Sequence, residues 1–306
     1  MANLKDIKTR IQSVQNTRKI TRAMKMVAAA KVKKAESTVK SARPFATELS
    51  TIFKKMLSAV NGEYSVENLK VKSAIDNYPV LLEKRDIKSV GLLVMSSNKG
   101  LAGAYNANII RKTISMIKEY NDNGLKVYLF IVGQKGISGL KRKIENLNCE
   151  IAKTYLSIAN DVTATGARLV AEDLADFFVD RRIDKIEILT TRFKNMMSYS
   201  VQNWEILPLG DDMKDENHQI DPLMIFEPSV HGILQSLVPM YISNIIYQAL
   251  LEAQASELAS RMTAMSAASN NADEMIRLLS IDYNKARQWA ITQELVEIVS
   301  GANALK

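Results

Sequence analysis

From Met240 to Ser300 the chain contains neither proline nor glycine. These two residues disfavour a helix interior most strongly, proline by about 3 kcal/mol and glycine by about 1 relative to alanine. So long a stretch without either points to one continuous helix. Within it Leu258, Met262, Met265, Ser269, Ala272, Ile276, Leu279, Tyr283, Ala286 and Ala290 recur at intervals of three and four. That is a heptad register with Ser269 as its polar member. The run between Pro239 and Gly301 spans about 90 Å at 1.5 Å per residue.

The other end mirrors it. The first proline is Pro44 and the first glycine is Gly62. Leu4, Ile7, Ile11 and Val14 step by three and four, and the apolar stripe resumes at Ile20, Met24 and Val27 after a six-residue gap. This predicts a helix from about residue 4 to about residue 58, roughly 80 Å long, with a narrow seam. No small domain buries such a helix along its whole course. Alanines cluster on both segments (Ala28 to Ala30; Ala253, Ala255, Ala259, Ala264, Ala267, Ala268). Small side chains let two helix backbones approach closely. The expectation is an antiparallel two-helix coiled coil made from the two ends, with a compact body between them. Two separate helices in a larger bundle are the alternative.

Charge follows the same division. Residues 1–40 carry +9 of a whole-chain net charge of +8, so everything after them is nearly neutral. A lysine-rich helix face is often only solvated. A basic end on a neutral body also fits an acidic partner: nucleic acid, anionic lipid or an acidic protein face. Scarce serine and a regular apolar stripe argue against a transit peptide. No stretch reaches the roughly 20 apolar residues that a membrane span needs.

The middle has another texture. Val90–Met95, Val127–Val132 and Ile186–Thr191 are short apolar runs, with helical patterns at about Ala104–Tyr120, Lys135–Leu147 and Val162–Val179. Alternating strands and helices predict a mostly parallel, Rossmann-like sheet with covering helices. Ser198–Leu207 reads as an added antiparallel strand, and Gly210–Pro222 as a polar loop.

A catalytic centre is not visible in these residues. There is no P-loop, no G-x-G-x-x-G after a strand and no G-x-S-x-G. Gly133, Gly136 and Gly139 follow a strand at a spacing that suits a turn and helix start better than a phosphate cradle. The two histidines, His218 and His231, have no partner at metal-ligand spacing, and Cys149, the single cysteine, reads as an inert thiol. No cofactor or metal is expected. Such a chain suits a mechanical or scaffolding part better than an enzyme.

Three segments carry a resemblance: ITRAMKMVAAAK (Ile20–Lys31), SELASRMTAM (Ser256–Met265) and YNKARQWAITQELVEIVSGA (Tyr283–Ala302). The last contains Ile291, Thr292, Glu294, Glu297, Gly301 and Ala302 in the order of the C-terminal signature of the gamma subunit of F-type ATP synthases. The middle S-S-N-K-G-L-A-G (Ser96–Gly103) is similar to that family too, and the likeness spans essentially the whole chain. Asn98 stands where the family usually has an acid, Ala102 where it has a cysteine, and Trp289 where it has a small residue.

The resemblance implies a rotor shaft without a catalytic site of its own. Residues 1–60 and 228–306 would form the coiled coil, and residues 75–210 the α/β foot. The shaft would turn inside a ring of catalytic and non-catalytic large subunits. The foot would meet the epsilon subunit and the membrane ring of proton-carrying subunits, with no nucleic acid and no membrane insertion. On the family pattern Lys19, Arg22, Met24 and Lys25 face acidic loops of the catalytic subunits. Arg261, Gln288, Thr292 and Glu294 fall where the shaft hydrogen-bonds that ring. Ile298, Val299, Ala302 and Leu305 would sit in an apolar bearing. A start at Met1, at the family's own beginning, implies a bacterial protein peripheral on the cytoplasmic face of the inner membrane. Two rival readings remain open: a basic coiled coil that binds nucleic acid, and a nucleotide-binding enzyme built on the α/β body.

Overall fold

The computed structural model describes residues 4–59, 74–83, 85–209, 227 and 229–304. The expected loop Gly210–Pro222, His218 and Leu305 lie outside them. Two compact units emerge. One comprises residues 1–30 and 261–306, the other Lys31–Ser260.

The larger unit is built on a five-stranded sheet in the order β3-β2-β1-β4-β5. Its strands are β1 (Ser89–Met95), β2 (Lys126–Val132), β3 (Cys149–Tyr155), β4 (Lys185–Asn195) and β5 (Ser198–Leu207). β1 pairs in parallel with β2 and β4, β2 in parallel with β3, and β5 runs antiparallel to β4. This is the expected mixed, Rossmann-like arrangement. The connecting helices are α3 (Tyr105–Asp122), α4 (Gln134–Leu140) and α5 (Ala164–Val179).

Residue alternation explains the two layers. Leu92, Val94, Leu129 and Ile131 face a core shared with Tyr105, Ile109 and Ile117 of α3 and Leu140 of α4. Their neighbours Leu93, Met95, Phe130 and Val132 face the opposite core, shared with Val170, Leu174 and Phe178 of α5. A period of two along strands buried on both faces gives near-continuous apolar runs. That is why β1 and β2 are legible in the sequence.

Two long helices complete this second core: α1 (Leu4–Ala59) and α6 (Val230–Ala304). α1 contributes Leu49, Phe53, Met56 and Leu57, and α6 contributes Leu234, Val238, Tyr241, Ile242 and Ile246. Phe53 stacks on Tyr241 at 4.3 Å between ring centroids. Arg43 pairs with Glu252 at 2.8 Å. Numbers rise on α1 as they fall on α6, so the two run antiparallel. A short α2 (Tyr78–Leu82) packs beside them.

Three details depart from expectation, while α1 runs through Pro44 as its predicted span requires. α6 runs through both Pro239 and Gly301. Buried neighbours hold the backbone where propensity alone would break it: Val238, Tyr241 and Ile242 around Pro239, and the Arg43 ion pair beside Pro44. The expected helix Lys135–Leu147 stops at Leu140, because Leu140 and Ile144 turn down into the core through bonds from Lys143 N and Ile144 N to Leu140 O. Strand β3 was unforeseen. It lies at the sheet edge, where Glu150, Lys153 and Thr154 stay exposed and mask the apolar signal.

In the smaller unit the α6 register is as expected. Met265, Ser269 and Ala272 are buried, and Met262, Ile276, Leu279, Tyr283, Ala286 and Ala290 are half-buried. The α1 register is not. Ile20 is 60% exposed and Val27 57%, whereas Thr21 and Ala28 are buried. A heptad continued from Val14 falls on Thr21 and Ala28, one position beyond the apolar residues. Geometry overrules hydrophobicity here, since Ala28 admits a close backbone approach. Arg18 crosses to Asp273 at 2.7 Å.

Candidate functional site

Of the twelve residues assigned to partner contact, the eleven described ones, Ala302 among them, lie in the smaller unit. Lys19, Arg22 and Lys25 are exposed and Met24 is half-buried in the seam. Arg261 is half-buried, while Gln288, Thr292, Glu294, Ile298 and Val299 are exposed.

They form two groups. The Arg18–Asp273 pair sets the register of this helix pair. Counting from it, Leu4 stands level with about residue 287. Lys19 to Lys25 therefore lie alongside the part of α6 just beyond Arg261. Gln288 to Val299 extend past the first described residue of α1, about 24 Å further along the helix from the level of Lys19.

The first group is a basic face with apolar members. Ile20, Met26 and Val27 are exposed beside Lys19, Arg22 and Lys25. The sequence reading had put Ile20 and Val27 in the seam and did not single out Met26. Their exposure makes them candidates for partner contact; the one-residue slip after Val14 is the signal in the sequence.

The second group is an apolar helix end. Every described side chain from Ile291 to Asn303 is exposed. Trp289, Ile291, Leu295, Val296, Ile298 and Val299 occupy several sides of the helix, Ile298 at 67% exposure. A surface helix normally hides its apolar residues on one stripe. At 3.6 residues per turn these six cover about half of the circumference, wider than such a stripe, and all are exposed. Among its polar groups, Gln293 Nε2 donates to Glu297 Oε1 at 3.1 Å and Thr292 Oγ1 to Gln288 O at 2.9 Å.

Among the described residues, the α/β unit does not show the ligand crevice that its fold usually provides. In such sheets ligands sit outside the carboxyl ends of strands, where the strand order reverses. Here that place is filled by α6. Ser260 Oγ donates to Ala102 O at 2.7 Å. The remaining void is about 40 Å³, lined by Met95, Ser96, Ser97 and Tyr105 against Leu250, Ala253, Gln254 and Glu257. A nucleotide does not fit. Burial, with the Glu257 carboxylate second, pushes the Tyr105 phenol well above its usual range.

The glycine series packs rather than cradles. Gly133 has φ +93°, and a Cβ there would meet Ser96 O at 2.4 Å. At Gly139 it would meet Ile110 at 2.3 Å. Asn98 also has a structural account: its Oδ1 accepts from Gln134 N at 2.9 Å, and its Nδ2 donates to Leu156 O at 2.7 Å and Asn160 Oδ1 at 2.8 Å. An aspartate cannot make the two donations. Ala102 is buried under α6. Cys149 is half-buried, and burial pushes its thiol up. His231 is exposed in the first turn of α6. Among the described residues no group of His, Cys, Asp and Glu could hold a metal ion, and no helix is long and apolar enough to cross a membrane.

The family model described as ATP synthase matches residues 3–305. The ATP synthase gamma chain of Synechococcus sp. (strain JA-3-3Ab) is 40% identical over 330 aligned positions, covering 100% of both chains. That of Nostoc punctiforme is 41% identical at the same coverage. Among solved structures, a chain of the Tetrahymena thermophila mitochondrial ATP synthase central stalk and c-ring is similar at TM-score 0.58 and 28% identity, covering 82% of this chain and 99% of that one. A chain of the Euglena gracilis mitochondrial ATP synthase rotor shares the fold at TM-score 0.62 and 16% identity, covering 94% and 98%. The chain belongs to the ATP synthase gamma chain family.

Proposed function

We propose that this chain, the non-catalytic central-stalk rotor subunit of an F-type ATP synthase, works by presenting a different face to each large subunit in turn. The observation that carries this reading is the end of α6, Ile291–Asn303, exposed throughout and apolar on several sides. A helix end like this needs a sleeve. The ring of catalytic and non-catalytic large subunits supplies it, with Ile298 and Val299 in the bearing and Gln288, Thr292, Glu294 and Arg261 hydrogen-bonding its wall. Lys19, Arg22 and Lys25, flanked by Ile20, Met24, Met26 and Val27, face acidic loops of the catalytic subunits.

The coupling is allosteric. An orientation acts as the effector, and its strength is the difference in contact energy between states. A hundredfold shift in the affinity of one site needs about 2.7 kcal/mol of differential contact. A few side chains on a stiff helix supply that. The foot takes up rotation from the membrane ring of proton-carrying subunits. An open groove of about 910 Å³ in the larger unit, lined by Arg168 of the foot and by Phe45, Pro239, Met240 and Tyr247 of the long helices among others, gives the epsilon subunit a surface. The assembly is peripheral to the membrane, on the cytoplasmic face of a bacterial inner membrane.

Reconstitution tests this. Mixed with the two large subunits, the chain is expected to co-purify and to raise their ATPase rate. Removal of Ile291–Lys306 is expected to weaken both effects. A chain that neither co-purifies nor changes the rate refutes the reading, and steeply salt-dependent binding to duplex DNA would favour the nucleic-acid alternative.

A further inference from the structure

We propose that Glu252 and Arg43 form the joint through which the sheet of the foot turns the two long helices, a positioning role that rests on the rotor reading above. Glu252 is fully buried on α6. Its Oε1 accepts from Arg43 Nε at 2.8 Å and faces Arg192 Nε at 3.6 Å. Its Oε2 accepts from Arg43 Nη2 at 3.0 Å and from the backbone N–H of Phe193 at 2.8 Å. Arg43 Nη2 also donates to Phe193 O at 2.7 Å. One carboxylate and one guanidinium thus tie together α1, α6 and β4. A turn earlier on α6, Thr190 Oγ1 of β4 donates to Ala249 O at 3.0 Å.

Stability alone does not explain this arrangement, because well-packed apolar residues often replace a buried ion pair at no loss. Mechanics does. Apart from this cluster and the Thr190–Ala249 bond, the described contact between these helices and the sheet is mainly aliphatic and aromatic. Apolar burial is non-directional and sets a weaker angular preference than a hydrogen bond. Hydrogen bonds weaken steeply when bent. A forked, charge-assisted cluster on three elements therefore resists the twisting of β4 against the helices more firmly than apolar packing does. Because α1 and α6 are each continuous helices, a twist delivered at Arg43 and Glu252 travels along both.

The side-chain chemistry is specific. Both oxygens of Glu252 face donors, so a glutamine amide clashes donor to donor in either orientation. Lysine at position 43 keeps the charge and loses the fork. The test uses the assembled enzyme in inverted membrane vesicles and measures protons pumped per ATP hydrolysed. Glu252→Gln and Arg43→Lys are expected to lower that ratio by about threefold or more while hydrolysis continues. Leu174→Ala, a core change on α5 that removes none of the joint's hydrogen bonds, serves as a control for lost stability and should leave the ratio unchanged. If Glu252→Gln does not assemble, Arg43→Lys carries the test. A ratio equal to wild type in the joint variants, or an equal fall in the Leu174→Ala control, overturns the proposal. If the wild-type chain itself supports no pumping, the rotor reading fails first.

Discussion

The two compact units of this chain spend their apolar residues in opposite ways. In the larger unit Leu92, Leu93, Phe130, Phe178 and Ile188 are closed off on both faces of a sheet. In the smaller unit burial is confined to a seam, among whose buried members are Ile7, Thr21, Ala28, Met265, Ser269 and Ala272, while Ile20, Val27, Leu295 and Ile298 face outward. One unit completes its core within the chain. The other keeps a thin internal contact and leaves apolar surface exposed. A rotor needs both, a firm body to be driven and a shaft whose outer faces belong to the subunits around it.

The comparison breaks first in the larger unit. Leu174→Ala removes a fully enclosed side chain and should cost about 3 kcal/mol, read by urea unfolding through Trp204 after Trp289→Phe. Hydrogen exchange over residues 4–30 and 261–290 should barely change. If it changes equally, the two units are not energetically separate. Next comes the seam. Ala272→Leu overfills a close approach and should cost about 2 kcal/mol. It should speed exchange in those helix segments and leave the Trp204 transition in place.

The smallest effect is a pH dependence confined to the larger unit. Burial raises the Glu187 pKa, but hydrogen bonds from Lys185, Tyr120 and Asn203 outweigh it and hold the carboxyl below its usual range. A folded-state value below the unfolded one stabilises the protein at higher pH. That contribution fades as pH falls below about 4.3, the ordinary glutamate value, toward the depressed one. The urea midpoint should drop through that window, and Glu187→Gln should flatten the drop. An unchanged slope in the variant would mean that Glu187 is not responsible.

Much of this was legible in the residues because local periodicity is a local property. The heptad of α6, the apolar runs of β1, β2 and β4, and the alternation of β5 each declare themselves within a dozen positions. The illegible parts depend on what lies across space. Edge strand β3 hides because its exposed side is polar. Ile20 and Val27 mislead because a helix pair selects positions by spacing, and small Thr21 and Ala28 fit where larger residues do not. Nothing around Glu252 in the sequence distinguishes it from a solvated glutamate. Its partners come from residues 43, 192 and 193.

By itself the sequence determined that both ends are long helices, that a parallel sheet lies between them, and that the basic charge sits at one end. Each of these follows from spacing, propensity and composition, which act between near neighbours. Only the tertiary structure decided which face of α1 is seam and which is surface, that α6 fills the crevice where a ligand would otherwise sit, and that a buried carboxylate ties sheet to helices. Those outcomes depend on distances between residues far apart in the chain, which folding alone sets.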